Sequence, residues 1–348
     1  MTDPETETPI GVALIGAGMI ARTHVVALSG AASARLEAVV SRRPERAEPL
    51  AQHYDGAPPR FTADLDAVAA DPAIGMAIVA TPPSVRAEVI GTLARAGKHI
   101  LLEKPVGRTL AEAEQVVETC DAAGVTLGVL FQHRVRAPAV AAARRAAAGG
   151  LGRLGLVEIA VPLWRDQSYY DELGRGTYAR DGGGVMITNA IHSIDLALSL
   201  TGPVTRVQAM TATTPLHRME AEDFAMAGLH FANGAVGAFI ASTAMFPHRT
   251  ESITLHFEAA SLRLDKDSLE ISWRDGRREV EATGPPDGAH ASEARKAGWH
   301  RAVIEDFITA IRHGRPPLVT GRQALSAHRL IEAIETASRE GRPVDLPG

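Results

Sequence analysis

IGVALIGAGMIARTHVVALSG, residues Ile10–Gly30, decides the fold. The apolar run Ile10–Ile15 predicts a buried strand, and Gly16-Ala17-Gly18-Met19-Ile20-Ala21 follows it at once. A helix is expected over Arg22–Ser29, stopped by Gly30. Strand, glycine turn and helix in that order form a dinucleotide fingerprint with alanine in its third position. Gly16 makes the tight turn, Gly18 lets backbone approach a pyrophosphate, and Ala21 permits close helix–strand packing. Met19 and Ile20, in the turn that leads into the helix, are expected cofactor residues, and the helix N-terminus would face the phosphates.

The pattern repeats outward from this unit. A second strand, Leu36–Val40, ends in Ser41-Arg42-Arg43. An acidic residue there would bond a ribose 2′-hydroxyl, whereas arginine accommodates a 2′-phosphate. Ser41 and Arg42 therefore predict NADP(H) in preference to NAD(H), which stays possible; the plainer reading is a solvated basic turn. Gly75–Ala80 is a strand that ends in Thr81-Pro82-Pro83. After Gly97 comes HILLEKPVG, His99–Gly107, where the run Ile100-Leu101-Leu102 stops at Glu103 and Lys104 and Pro105 ends the strand. Lys104 thus sits at the carboxyl end of a strand, the edge where open α/β sheets bind ligands. Thr81, Pro82, Glu103 and Lys104 are the expected cofactor residues from these strand ends. A capping box, Thr109…Glu112, opens a helix to Gly124, and Thr126–Leu130 is a further buried strand. Strands alternating with helices mean a doubly wound parallel sheet, a Rossmann domain over residues 1–130.

From residue 131 to 348 the pattern changes to a substrate and oligomerisation domain of α+β type. An Ala-rich helix runs to Gly149-Gly150, and strand signals then dominate: Leu154–Val161, Thr205–Thr211, Phe224–Phe231, Ala235–Ser242, Ser252–Glu258 and Leu269–Trp273. Asn233-Gly234 and Asp275-Gly276 are hairpin signals. A large, open, mostly antiparallel sheet is expected, its free face a surface for a homo-oligomer. Two helices close the chain, near Trp299–Arg312 and Gly321–Ser338, the second behind a capping box at Thr320…Gln323. Gly284–Ala289 reads as a loop.

Two adjacent stretches interrupt this sheet. PLWRDQSYYDELGRGTYAR, Pro162–Arg180, mixes Trp164, Tyr169, Tyr170 and Tyr178 with Arg165, Arg175 and Arg180. An apolar core would reject the arginines and a solvated loop the aromatics. The mixture suits a lid over a polar ligand, with Arg165, Tyr169 and Tyr170 touching it. A loop pinned to its own domain or to a neighbouring subunit is the alternative. Gly182-Gly183-Gly184 then opens a helix over Val185–Leu200, its backbone bare enough for a ligand to approach. Thr188, His192 and Asp195 fall on one face of that helix.

The totals exclude several classes. With 348 residues, 45% hydrophobic and 22% charged, the chain has the composition of an ordinary globular protein and enough length for two domains. A net charge of -5 offers no basic field for nucleic acid or an anionic membrane. The single cysteine, Cys120, excludes an intrachain disulfide and suits a reducing compartment. With an acidic start (Asp3, Glu5, Glu7) and no apolar stretch of spanning length, a cytoplasmic location is expected. No metal is expected either, since there is no HExxH and no cysteine pair.

Taken together, GAGMIA, the ATPPS of Ala80–Ser84, Glu103-Lys104-Pro105 and GGGVMITNAIHSID at Gly182–Asp195 resemble the Gfo/Idh/MocA oxidoreductases over essentially the whole chain. The resemblance implies a Rossmann domain plus an α/β domain with a large open sheet, a nicotinamide near Lys104, and His192 as the catalytic histidine. The family often carries Asp or Asn four residues before that histidine. Here Thr188 stands there, followed by Asn189, and both become candidates for substrate contact. The members most similar are dihydrodiol dehydrogenases, including phthalate dihydrodiol types. The implied reaction moves a hydride between nicotinamide and a carbinol carbon of a sugar, polyol or cyclic dihydrodiol. His192 would carry the hydroxyl proton and Lys104 would polarise the oxygen. Two other readings stand beside it: a non-catalytic NAD(P)-binding regulator of the same fold, and an NAD-dependent glycosidase.

Overall fold

Apolar runs with both faces covered build the first sheet, as parallel strands require. The computed structural model describes residues 8–283 and 292–347; the predicted loop Gly284–Ala289 lies outside them. In chain order the first elements are β1 (Ile10–Ile15), α1 (Ala21–Ser29), β2 (Ala34–Val40), α2 (Pro44–Ala47), β3 (Arg60–Thr62), α3 (Leu65–Ala70), β4 (Ile74–Val79), α4 (Arg86–Arg95), β5 (His99–Glu103), α5 (Leu110–Ala122) and β6 (Leu127–Leu130). Their sheet is parallel throughout, in the order β3-β2-β1-β4-β5-β6. The direction of winding reverses between β1 and β4, so the carboxyl ends of these two strands flank the ligand-binding switch point of a doubly wound sheet. Strand β3 is only three residues long, too short for hydrophobic periodicity to announce it.

The second series is α6 (Ala137–Ala147), β7 (Leu154–Pro162), α7 (Gln167–Tyr170), α8 (Tyr178–Asp181), α9 (Ile191–Thr201), β8 (Val204–Ala212), β9 (Phe224–Phe231), β10 (Val236–Ser242), β11 (Ser252–Phe257), β12 (Ala260–Asp265), β13 (Ser268–Trp273), β14 (Arg278–Thr283), α10 (Glu293–His313), α11 (Gly321–Glu340) and β15 (Val344–Asp345). The nine strands follow the order β14-β13-β12-β11-β7-β10-β9-β8-β15. Every neighbouring pair is antiparallel except β7 and β10. Strict alternation of buried and exposed residues along β9 marks one covered and one open face. Both predicted hairpins form, with Gly234 and Gly276 at positive φ in their turns.

By packing, the chain divides into two units, and the division departs from a simple cut at residue 130. The first unit takes residues 1–107 and 111–130 and also 292–324; the second takes 108–110, 131–291 and 325–348. A cut at 130 assigned α10 to the second unit. Its stripe Val303, Ile304, Phe307 and Ile308 is instead buried against α1, β5 and β6, and Val129 N–H donates to the Val319 carbonyl at 3.0 Å. The helix also begins six residues before the predicted Trp299, because the Ser292 side chain accepts from Arg295 N–H and caps it. The predicted box at Thr320 and Gln323 is reciprocal: Gln323 N–H donates to Thr320 Oγ1 at 3.2 Å, and Thr320 N–H to Gln323 Oε1 at 3.0 Å. Cys120 is buried, and burial pushes its thiol up to about 12, which makes it an inert core residue. Among the described residues no helix is long and apolar enough to cross a membrane.

Phe307 is fully buried in the first unit. Truncation to alanine should cost about 3–5 kcal/mol in denaturant unfolding, whereas a loss below about 1 kcal/mol would show that α10 is not part of this core.

Candidate active site

The first group of predicted residues lies at the carboxyl ends of β1, β2, β4 and β5. Gly16 has φ +108, and a Cβ there would sit 2.9 Å from the Ala80 carbonyl, so only glycine makes this turn. Nothing approaches a Cβ built on Gly18 within 4 Å, which leaves its backbone open to a ligand. Met19 is 80% exposed although apolar, while Ala21 is fully buried against the sheet. At the end of β4 the Thr81 Oγ1 is buried without a hydrogen-bond partner. A buried hydroxyl beside a turn only glycine can make fits a dinucleotide, with Gly16, Gly18, Met19, Ile20, Thr81 and Pro82 to hold it. Ser41 Oγ accepts from Arg43 N–H at 3.2 Å, and Arg42 is exposed.

Lys104 follows β5 directly and is half-buried. Its frame depends on Arg86, at the start of α4, a buried residue that sequence reasoning passed over. The guanidinium donates to the Thr81 carbonyl at 3.0 Å, to the Glu103 carbonyl at 2.6 Å and toward the Lys104 carbonyl at 3.5 Å. One cation therefore ties the ends of β4 and β5 together. Burial lowers its pKa to about 10, so it stays charged at neutral pH. Glu103 needs a correction. Its side chain was expected to face the cofactor, yet it is 7% exposed and turned inward, accepting from His24 Nε2 at 2.9 Å, with His300 Nε2 at 3.6 Å. Burial alone would raise its pKa; the His24 and His300 contacts override this and hold the carboxyl well below its ordinary value.

The second group surrounds His192. A π-turn over Met186–Ala190 precedes α9, and such turns recur at functional sites. His192, near the N-terminus of α9, is 8% exposed. Its ring stacks on His133 at 4.4 Å and meets Phe131 edge-on at 5.8 Å. Arg136 bonds His133 from the other side and donates to Glu251 at 2.6 Å. Asp195 lies on the predicted helix face but is engaged by Arg134 through two hydrogen bonds, at 2.8 and 2.7 Å. The Thr188 hydroxyl sits 2.6 Å from the Gly184 carbonyl and 2.9 Å from Asn189 Oδ1.

The triple glycine also needs a correction. Its N–H groups were expected to be bare for a ligand, but Gly182, Gly183 and Gly184 are all buried. The Glu222 carboxylate accepts from Gly184 N–H at 2.9 Å and from Met186 N–H at 3.0 Å. A Cβ on Gly184 would lie 1.7 Å from the Glu222 carbonyl, so glycine serves close packing here rather than ligand approach. A protein carboxylate caps this helix start.

The aromatic loop divides between its two readings. Tyr170 is pinned to its own unit, its hydroxyl 2.6 Å from Thr243 Oγ1, and burial pushes its pKa up to about 12. His217 holds the loop backbone by bonding the Arg165 carbonyl at 2.8 Å and Asp223 at 2.7 Å. Arg165 and Arg175 lie over the Tyr169 ring, 5.2 and 4.9 Å from its centre. The Arg165 Nε is buried without a hydrogen-bond partner, which leaves Arg165 as the loop's prepared donor. His133, Arg134 and Arg136 went unread in the sequence. The run QHRVR just after β6, three basic residues in five positions, was the available signal.

Comparison with known proteins agrees with this geometry. Residues 10–131 match an oxidoreductase family with an NAD-binding Rossmann fold, and residues 140–263 match the Gfo/Idh/MocA C-terminal domain. A D-apiose dehydrogenase of Paraburkholderia graminis is 30% identical, with 96% of this chain and 89% of that protein covered. The inositol 2-dehydrogenase of Rhizobium meliloti is 29% identical, with 96% and 98% covered. Among solved structures, the WlbA dehydrogenase from Bordetella pertussis in complex with NADH and UDP-GlcNAcA matches 99% of this chain and 100% of its own, with a TM-score of 0.83 and 27% identity. A glycine turn closed to every other residue, a buried unpartnered threonine beside it and a clamped Glu-Lys-Pro corner agree with these matches: the chain belongs to the Gfo/Idh/MocA oxidoreductase family, as an NAD(P)-dependent dehydrogenase or reductase.

Proposed function

We propose that the protein transfers a hydride between a nicotinamide cofactor, NADP(H) in preference to NAD(H), and a carbinol carbon of a sugar or polyol. The observation that carries the reading is Lys104, held at the carboxyl end of β5 by the Arg86 clamp. The relatives named for D-apiose and inositol support the substrate class. When bound, the nicotinamide supplies the acceptor or donor for the hydride. Lys104 donates a hydrogen bond to the reacting oxygen and stabilises charge that develops there. His192 takes the hydroxyl proton in oxidation and returns it in reduction. The stack on His133 fixes the imidazole plane. Arg165, with Tyr169, Thr188 and Asn189, binds substrate hydroxyls, while Tyr170 keeps the loop in place through Thr243. A cyclic dihydrodiol is the second substrate class, favoured by the aromatic character of the loop, where Trp164 packs edge-on to the exposed Phe246. Stoichiometric release of reduced cofactor separates this chemistry from glycoside cleavage, and turnover separates it from regulation.

Lys104→Ala should lower kcat by about 100-fold or more while changing cofactor affinity less than about threefold. Retention of full kcat would remove Lys104 from the chemistry.

The 2′-phosphate preference rests on Ser41 and the exposed Arg42 at the end of β2, where no acidic residue stands. In calorimetric titrations NADPH should bind at least about tenfold tighter than NADH, ~1.4 kcal/mol, and Arg42→Ala should erase the difference. A preference for NADH would reduce these arginines to a solvated turn.

The open face of the nine-stranded sheet carries Met210, Met226 and Ile240 side by side across β8, β9 and β10, all exposed. We assign a second copy of the chain as its cover, since an apolar row on a sheet is buried well by a like face. Light scattering should give a homo-oligomer that Met226→Asp dissociates; a monomeric native protein at micromolar concentration would refute this.

A further inference from the structure

Strand β5 ends in a buried carboxylate that no step of the proposed reaction uses. His24 of α1 and His300 of α10 reach Glu103 from two helices, at 2.9 and 3.6 Å, with their rings edge to face at 5.0 Å. His300 Nδ1 lies 2.8 Å from the Lys296 carbonyl, so that nitrogen carries the hydrogen and the ring is fixed with Nε2 toward Glu103. Thr23 and Glu293, each next in the chain to these helix contacts or near them, tie α1 to α10 at 2.6 Å. From α4, Arg86 holds the Glu103 carbonyl at 2.6 Å. The backbone of residue 103 is thus fixed from three elements, and the next side chain to leave this frame is that of Lys104.

We propose that Glu103, hydrogen-bonded to His24 and packed against His300, forms a buried anchor that positions Lys104, Glu103 acting through Lys104 rather than by touching the cofactor. The proposal rests on the reading of Lys104 given above. The charged and titratable groups facing the carboxylate are His24 from α1, His300 from α10 and Arg86 from α4. The three donors also lie within 4.8 Å of one another, in residue types that bind zinc. The separation of 2.9 Å between His24 and Glu103 is that of a hydrogen bond. Donors bonded to one tetrahedral zinc at about 2.0–2.1 Å would stand roughly 3.3 Å apart.

The test uses the full-length protein with Glu103→Gln, Glu103→Ala and Lys104→Ala, and the Ala-Ala double variant. Glu103→Ala should lower kcat by about tenfold or more with substrate KM and cofactor affinity within about threefold. Glu103→Gln keeps an acceptor for His24 and should recover much of that loss. The double variant should be no slower than Lys104→Ala, because a group acting through the lysine has nothing left to position. An independent readout uses the protein without cofactor. The folded carboxyl titrates well below 4.5, so the stability it contributes is complete above that pH and is lost as pH falls through the lower folded value. Melting of the native protein should therefore fall more steeply on acidification below about pH 4.5 than that of Glu103→Gln. Unchanged kcat with tenfold weaker cofactor binding would make Glu103 a cofactor contact and overturn the proposal. So would losses that multiply in the double variant, or stoichiometric zinc in the native protein that Glu103→Ala removes. Should Glu103→Ala fail to fold, His24→Ala, alone and combined with Lys104→Ala, carries the same comparison. If the native protein turns over no carbinol substrate with either cofactor, it is the proposed function that fails, while the acid melting still decides the anchor.

Discussion

A carboxylate sealed inside a domain must be met by donors, because leaving a buried charge unpaired costs about 3–5 kcal/mol. Glu103 imposes that requirement on the first unit, and much of the unit's arrangement follows from it. One donor comes from α1, directly after the glycine turn, and a second imidazole from α10, near the far end of the chain. The helix that returns to complete the first unit supplies an apolar stripe to the sheet and a polar contact to the inward-facing Glu103. Arg86, itself buried, answers the same corner from α4 by bonding carbonyls at the ends of β4 and β5. A corner held in this way can present a flexible lysine at a defined place.

The second unit solves a comparable problem with different groups. The start of its central helix is closed by Glu222, which accepts two backbone N–H groups where no other ligand is needed. The close approach of Glu222 demands glycine at Gly184, and the π-turn that follows sets the register of His192. Asp195, one turn further on, is spent on Arg134. The Glu222 and Asp195 carboxylates thus serve architecture, while the imidazole of His192 stacks on His133 and meets Phe131 edge-on.

What the sequence disclosed and what it withheld divide along sequence separation. The glycine turn, the Lys-Pro strand end, both hairpins and the Thr320 capping box are local signals, each contained within a few residues. The fold class followed from them. The role of Glu103 was misread because its partner His24 lies 79 residues away and His300 much further, and nothing in either neighbourhood marks a shared carboxylate. The triple glycine was misread for a related reason. Glycine permits both ligand approach and close packing, and only the position of Glu222, 38 residues downstream, decides between them. Arg86 went unread because nothing local marks it; its partners are carbonyls at the ends of two strands, 5, 17 and 18 residues away.

The two charged residues at the end of β5 also show why adjacency carries information that either residue alone does not. Neighbouring residues along a strand point to opposite faces, so an acid fixed toward one face leaves the residue after it to face away from that contact. A lone lysine on a loop would lose its placement to rotamer freedom, and misplacement by about 1 Å can cost two orders of magnitude in rate. Fixing the backbone one residue earlier restricts that freedom without placing a second charge at the reacting centre. The cost is a charge in the core, offset by two imidazoles and a nearby guanidinium. On this account Glu-Lys-Pro is a single device: the proline ends the strand, the glutamate locks its last residue, and the lysine is what the lock holds out.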